Sequence, residues 1–161
     1  MLTQIAIQQL KTDPQGYGTQ KSLISPWFVI QNVPDYILKP EHTSENILRR
    51  MEALDFAGLL SRFSGTDEHA NFSITGNGMQ YFRLMIKSMS TIIHDKKSYD
   101  NIIDSTEGAK EVKKELKKIH GKLKGKRDEE IVEGYIDLLK RTGPETVSFI
   151  VRLLSSIGIG T

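Results

Sequence analysis

Apolar positions recur at helical spacing through most of the chain and give way to short alternating runs in one place only. Leu2, Ile5, Ala6 and Leu10 mark one face of a first helix, which should stop in the turn-rich Thr12-Asp13-Pro14-Gln15-Gly16-Tyr17-Gly18. Ser25 can cap a short second helix with Pro26 at its first position, where the N–H would have no intrahelical partner anyway. Trp27, Phe28, Ile30 and Val33 supply its apolar surface before Pro34 breaks it. Tyr36-Ile37-Leu38 then leads into Lys39-Pro40, and Thr43 or Ser44 caps a third helix whose inward stripe is Ile47, Met51 and Leu54, with Leu48 at its edge. Glu45, Asn46, Arg49, Arg50 and Glu52 are left facing outward.

The interruption follows directly. Phe56-Ala57-Gly58 turns the chain, and Leu59-Leu60-Ser61-Arg62-Phe63 is compatible with β pairing to Asn71-Phe72-Ser73-Ile74, with residues 64–70 as the hairpin tip. Thr75 then caps a long helix carrying Tyr81, Phe82, Leu84, Met85, Met89, Ile92 and Ile93, ending near His94-Asp95.

In the C-terminal third, Val112, Leu116, Ile119 and Leu123 are spaced 4, 3, 4, a heptad-like seam on a helix whose other faces are largely lysine. Gly125 marks a turn and Asp128 can cap a second helix with Ile131, Val132, Tyr135, Ile136, Leu138 and Leu139 on its apolar face, so a helical hairpin is expected. Asp128, Glu129, Glu130 and Glu133 beside the lysine-rich helix should favour that pairing modestly. Pro144 restarts a last helix whose only polar interruptions between Val147 and Ser156 are Ser148, Arg152 and Ser155. Such a helix must be buried, against this chain or a copy of it.

Composition adds bounds. With 161 residues, 38% apolar and 26% charged, the chain suits one globular unit or a small domain with an extension. It has no cysteine, which removes disulfides, thiolate nucleophiles and cysteine-based zinc sites. No apolar run approaches the ~20 residues needed to span a bilayer, and the first ten residues lack the basic and unbroken apolar regions of a signal peptide. Cytoplasmic residence without membrane association is the expectation.

Charge is uneven although the net value is only +2. Residues 1–96 hold nine basic and nine acidic side chains, whereas residues 110–127 hold nine basic against Glu111 and Glu115. An electrostatic footprint would centre on this second segment.

Two motifs carry a resemblance. Met51-Glu52-Ala53-Leu54-Asp55-Phe56-Ala57-Gly58-Leu59-Leu60 ends the third helix with a leucine, three residues and Gly-Leu turning into a strand, and Ile74-Thr75-Gly76-Asn77-Gly78 follows the hairpin with Thr-x-x-Gly. In this order and separation they resemble the winged helix-turn-helix superfamily, particularly the small prokaryotic and archaeal transcriptional regulators of the MarR and PadR kind, over residues 2–85. The implied fold is mainly α with a small β-hairpin wing, a winged helix-turn-helix domain over residues 1–95 followed by C-terminal helices over residues 96–161.

The resemblance implies binding of double-stranded DNA by the third helix in a major groove, with the hairpin wing against the backbone or minor groove. By that carry-over His42, Thr43, Ser44, Asn46, Arg49 and Arg50 are the candidate contacts, with Arg62 and His69 in the wing and Lys21 and Lys39 flanking the second helix. Arginine can donate twice to guanine, asparagine can pair with adenine, and a hydroxyl near a helix N-terminus can bond phosphate. The wing tip departs from the pattern with Asp67 and Glu68. Winged helices also serve as protein-interaction modules, and the mixed charge of the third helix suits that alternative. Regulators of this kind commonly pair as homodimers through appended helices, which the resemblance extends to this chain. No Gly-rich phosphate loop, metal-spaced histidine cluster or nucleophile motif appears, so neither a catalytic role nor a cofactor or metal is expected.

Overall fold

The computed structural model describes residues 1–12, 23–31, 43–66, 69–92 and 96–159. Among these, the elements run α1 (Leu2–Thr12), α2 (Pro26–Gln31), α3 (Ser44–Phe56), β1 (Leu60–Ser64), β2 (Asn71–Ile74), α4 (Gly76–Ile92), α5 (Lys96–Ser105), α6 (Lys110–Leu123), α7 (Asp128–Arg141) and α8 (Pro144–Ser156). The protein is therefore mainly helical with one small antiparallel sheet. The expectations placed on Gly16–Gly18, Val33, Tyr36–Leu38, Asp67, Glu68 and His94 lie outside the described residues. Two compact units divide the chain, Met1–Phe82 and Arg83–Thr161, and α4 runs across the division.

In the first unit, α1 is buried well beyond the stripe read from its spacing, since Thr3, Ile7 and Gln9 are buried beside Leu2, Ile5, Ala6 and Leu10. Gln9 accounts for part of this: its side-chain carbonyl accepts the Ile74 amide at 2.8 Å, which ties α1 to β2 and satisfies a backbone donor that the two-stranded ladder leaves over. Ser25 does cap α2, its hydroxyl accepting the Phe28 amide at 3.2 Å. That helix buries Pro26 and Val29, while Trp27 points outward at 57% exposure, contrary to the apolar surface expected of it. Just before it, Ile24 exchanges two backbone hydrogen bonds with Phe72, of 2.8 and 3.0 Å, adding a one-residue bridge to the sheet.

Thr43 caps α3 by accepting the Asn46 amide, and Ile47 and Met51 are buried as the stripe requires. At the other end Gly58 takes φ +71°, the left-handed conformation that favours glycine, so the Gly58 amide reaches the Asp55 carbonyl at 2.8 Å and the Leu59 amide reaches Leu54 at 2.9 Å. These bonds satisfy carbonyls that the helix end would otherwise leave open. The chain enters β1, which pairs with β2 in the register Leu60–Ile74, Ser61–Ser73 and Arg62–Phe72, with an irregularity at Phe63 before Ser64–Asn71. Thr75 closes the hairpin and caps α4, its hydroxyl accepting the Gly78 amide at 3.0 Å.

In the second unit, the buried positions of α4 are Met85, Ile86 and Met89. Leu84, read as apolar face, is instead exposed, because it falls about 130° from the Phe82–Met85–Met89 line, and Tyr81, at the edge of that line in the first unit, is exposed as well. Helix α5 had no counterpart in the sequence reading, and it contributes Tyr99 and Ile103 to the core. The hairpin of α6 and α7 forms around Gly125 at φ +78°. Gly134 of α7 faces Leu123, where an added Cβ would come within 2.7 Å of Cδ2, so the absence of a side chain lets the two helices close up. Arg127 rather than Asp128 occupies the cap position of α7, with Asp128, Glu129 and Glu130 in its first turn.

Among the described residues no ion pair joins an acidic residue of α7 to a lysine of α6. Glu133 pairs with Arg83 and Asp128 with Lys87 at 3.1 Å, both on α4, while Glu130 pairs with Arg127 at 3.2 Å. Two buried phenols link three helices: the Tyr135 hydroxyl donates to the Tyr99 hydroxyl at 3.2 Å, and that group donates to the Leu116 carbonyl at 3.1 Å. The Tyr99 ring stacks on His120 with centroids 3.8 Å apart. In α8, Val147, Phe149, Ile150, Leu153 and Leu154 are buried within a single chain.

Candidate nucleic-acid interface

Helix α3 sets the geometry of the expected site. Its cap and buried stripe leave Thr43, Glu45, Arg49, Arg50 and Glu52 exposed, with Ser44 and Asn46 half-buried. Lys21, Lys39 and His42 lie outside the described residues. The structure thus brings Thr43, Ser44, Asn46, Arg49 and Arg50 onto one short helix.

The charges on that helix are partly matched from within. Arg49 pairs with Glu45 one turn back at 2.5 Å, with both side chains well exposed, so the bond exchanges readily with water or phosphate. Arg50 forms no ion pair among the described residues; its charge acts on the Met1 amino group, whose pKa is held below its ordinary value first by burial and then by Arg50.

Arg62 is held by partners on α3 and in its own turn. One guanidinium nitrogen donates to Glu52 at 3.0 Å and the other to the Gly65 carbonyl at 3.1 Å, while the Arg62 amide donates to Asp55 at 3.2 Å. The guanidinium also lies 5.9 Å from the Phe72 ring centroid. Arg62 therefore fastens β1 and its turn to the C-terminal half of α3. His69 is exposed, with its carbonyl accepting from Asn71 at 3.2 Å.

Three aromatic side chains on this unit escaped the sequence reading as surface features. Phe56, at the last turn of α3, is 97% exposed, and Phe63 and Trp27 are more than half exposed. For Phe56 the signal was present: it lies five residues past Met51 and so about 140° off the buried stripe. Phe63 is exposed at the irregularity in β1, which periodicity does not announce.

Among the described residues, no group of three His, Asp or Glu side chains gathers as metal ligands would, and no helix is long and apolar enough to cross a membrane. Comparison with family models, with curated proteins and with solved structures finds no match.

Proposed function

We propose that the unit Met1–Phe82 is a winged helix-turn-helix that binds double-stranded DNA, and that the protein regulates transcription by occupying a promoter site. What supports the reading above all is the order of elements: helix, the Ile24 bridge, two helices, an antiparallel hairpin paired back to that bridge, and an exit helix. In that arrangement the third helix is the one offered to a groove. At 13 residues α3 is about 20 Å long, enough to lie along a major groove ≈ 12 Å wide. Arg49 and Arg50 would read or grip the duplex, Thr43 and Ser44 would meet phosphate at the helix N-terminus, and Arg62 would position the wing.

A homodimer belongs to the same proposal, because two copies of α3 would read a two-fold site. The apolar face of α8 is covered within one chain, so the exposed Leu84 on α4 offers an alternative contact between copies.

A second reading is favoured by two observations. Glu45 and Glu52 neutralise Arg49 and Arg62, and Phe56 stands almost fully exposed beside them. That combination suits a protein-interaction surface with an aromatic anchor. Enrichment from a pool of randomised duplexes separates the two: recovery of a shared sequence supports the DNA reading, and an unenriched pool supports the interaction module.

A further inference from the structure

Lys110, Lys114, Lys118 and Lys122 repeat every four positions along α6 and so form one row, about 18 Å from first to last. All four are exposed, and among the described residues none takes part in an ion pair. Other lysines of the helix are engaged: Lys113 donates to the Asp104 carbonyl at 2.8 Å and Lys117 pairs with the Asp104 carboxylate at 2.7 Å. Beside the row runs a groove of about 510 Å³, where Lys114, Lys118, Lys122 and Arg141 of α7 outnumber Glu111 and Glu115 around a floor that includes Ile119 and Leu123. Like charges four apart on a helix repel and weaken it. Glu111 and Glu115 share the helix, but among the described residues neither pairs with the row, and of α7 Glu133 and Asp128 pair with α4 and Glu130 with the turn.

We propose that this row is a second nucleic-acid contact, taking the phosphate backbone of a duplex without regard to sequence. It is independent of the reading of α3. A bilayer surface fits less well: Val112 and Leu116 of α6 are buried, and the apolar residues beside the lysines, Ile119 and Leu123, are half-buried and include no aromatic. An acidic protein would rely on an apolar anchor, and beside the row only the half-buried Ile119 and Leu123 offer one among the described residues. A duplex needs only cations in line, spaced here at about 6 Å, and gains affinity by releasing its condensed counterions.

The test titrates the full chain against a random-sequence 30-base-pair duplex by fluorescence anisotropy across a salt series, with the variant K110Q/K114Q/K118Q/K122Q and its Lys→Arg counterpart. The glutamine variant should flatten the slope of log affinity against log salt by about 3 to 4 and weaken binding at ~100 mM salt at least tenfold, while the arginine variant keeps both. Thermal unfolding of each variant confirms the fold. An unchanged slope in the glutamine variant, or no duplex binding by the parent at low salt, overturns the proposal. So does equal affinity of the parent for polyglutamate or for phosphatidylserine vesicles. R49A/R50A, run alongside, keeps the two readings apart: if it alone weakens binding, α3 stands and the row falls; if the glutamine variant alone does, the reverse holds.

Discussion

Thr75 Oγ1 donates to the carbonyl of Gly58 at 2.6 Å while accepting the amide of Gly78 at 3.0 Å. One hydroxyl thus joins the turn that ends α3 to the first turn of α4. The Thr75 amide adds a bond to the Leu59 carbonyl at 3.1 Å, and Gly78 packs so closely there that a Cβ would come within 2.0 Å of that oxygen. The Gly-Leu and Thr-x-x-Gly motifs are two sides of one contact.

Gly78→Ala should therefore destabilise the protein by roughly 2 kcal/mol or more, since the obstacle is backbone and cannot swing aside. Thr75→Ala should cost about 1–2 kcal/mol and Thr75→Ser much less. Urea unfolding of the three variants checks the order.

That contact explains why the N-terminal unit was readable. Its signals are local: Ser25, Thr43 and Thr75 all cap where their chemistry suggests, and the hairpin pairs the two short runs on either side of its polar tip. The rest depended on partners distant in sequence. Gln9 is buried because it serves Ile74, 65 residues away, and Ile24 becomes a strand residue only because Phe72 is there to pair with it. Helix α5 carries only Tyr99, Ile102 and Ile103 as apolar residues, too short a stripe to stand out. Of the site, the outward face of α3 was legible; the fastening of Arg62 to Glu52 was not, since a spacing of ten residues across a turn has no periodic signature.

The phenol chain gives a second expectation. Tyr99→Phe removes the acceptor for Tyr135 and a second donor to the Leu116 carbonyl, leaving the buried Tyr135 hydroxyl unmatched, whereas Tyr135→Phe removes one donor and leaves Tyr99 bonded to Leu116. Tyr99→Phe should cost about 1–3 kcal/mol and Tyr135→Phe about 1 kcal/mol, read from the same unfolding curves.

Alkaline stability should respond to the same pair. Burial pushes the Tyr135 phenol up to about 12, and burial followed by the neighbouring Tyr135 pushes Tyr99 higher still. Unfolded tyrosines titrate near 10. The folded state then keeps protons the unfolded chain gives up, so this stability is intact below pH 10 and is lost above it, at up to about 2.7 kcal/mol per pH unit for two groups. The Tyr99→Phe, Tyr135→Phe double variant should show a distinctly shallower decline between pH 10 and 12; parallel curves would contradict the assignment.

Glu45 holds Arg49 in an exposed ion pair at 2.5 Å. On the DNA reading, Glu45→Gln removes a like charge from the groove face and should strengthen duplex binding severalfold. Weaker duplex binding in this variant, by anisotropy at fixed salt, would count against α3 as the contacting helix.

The most direct measurement is the affinity of a duplex enriched from the random pool for the parent chain and for Arg49→Ala, Arg50→Ala. Loss of about 1–3 kcal/mol for each base contact predicts at least a tenfold drop for the double variant, with preference for the enriched sequence collapsing toward that for a scrambled one. Undiminished affinity and preference would contradict the placement of α3 in the groove.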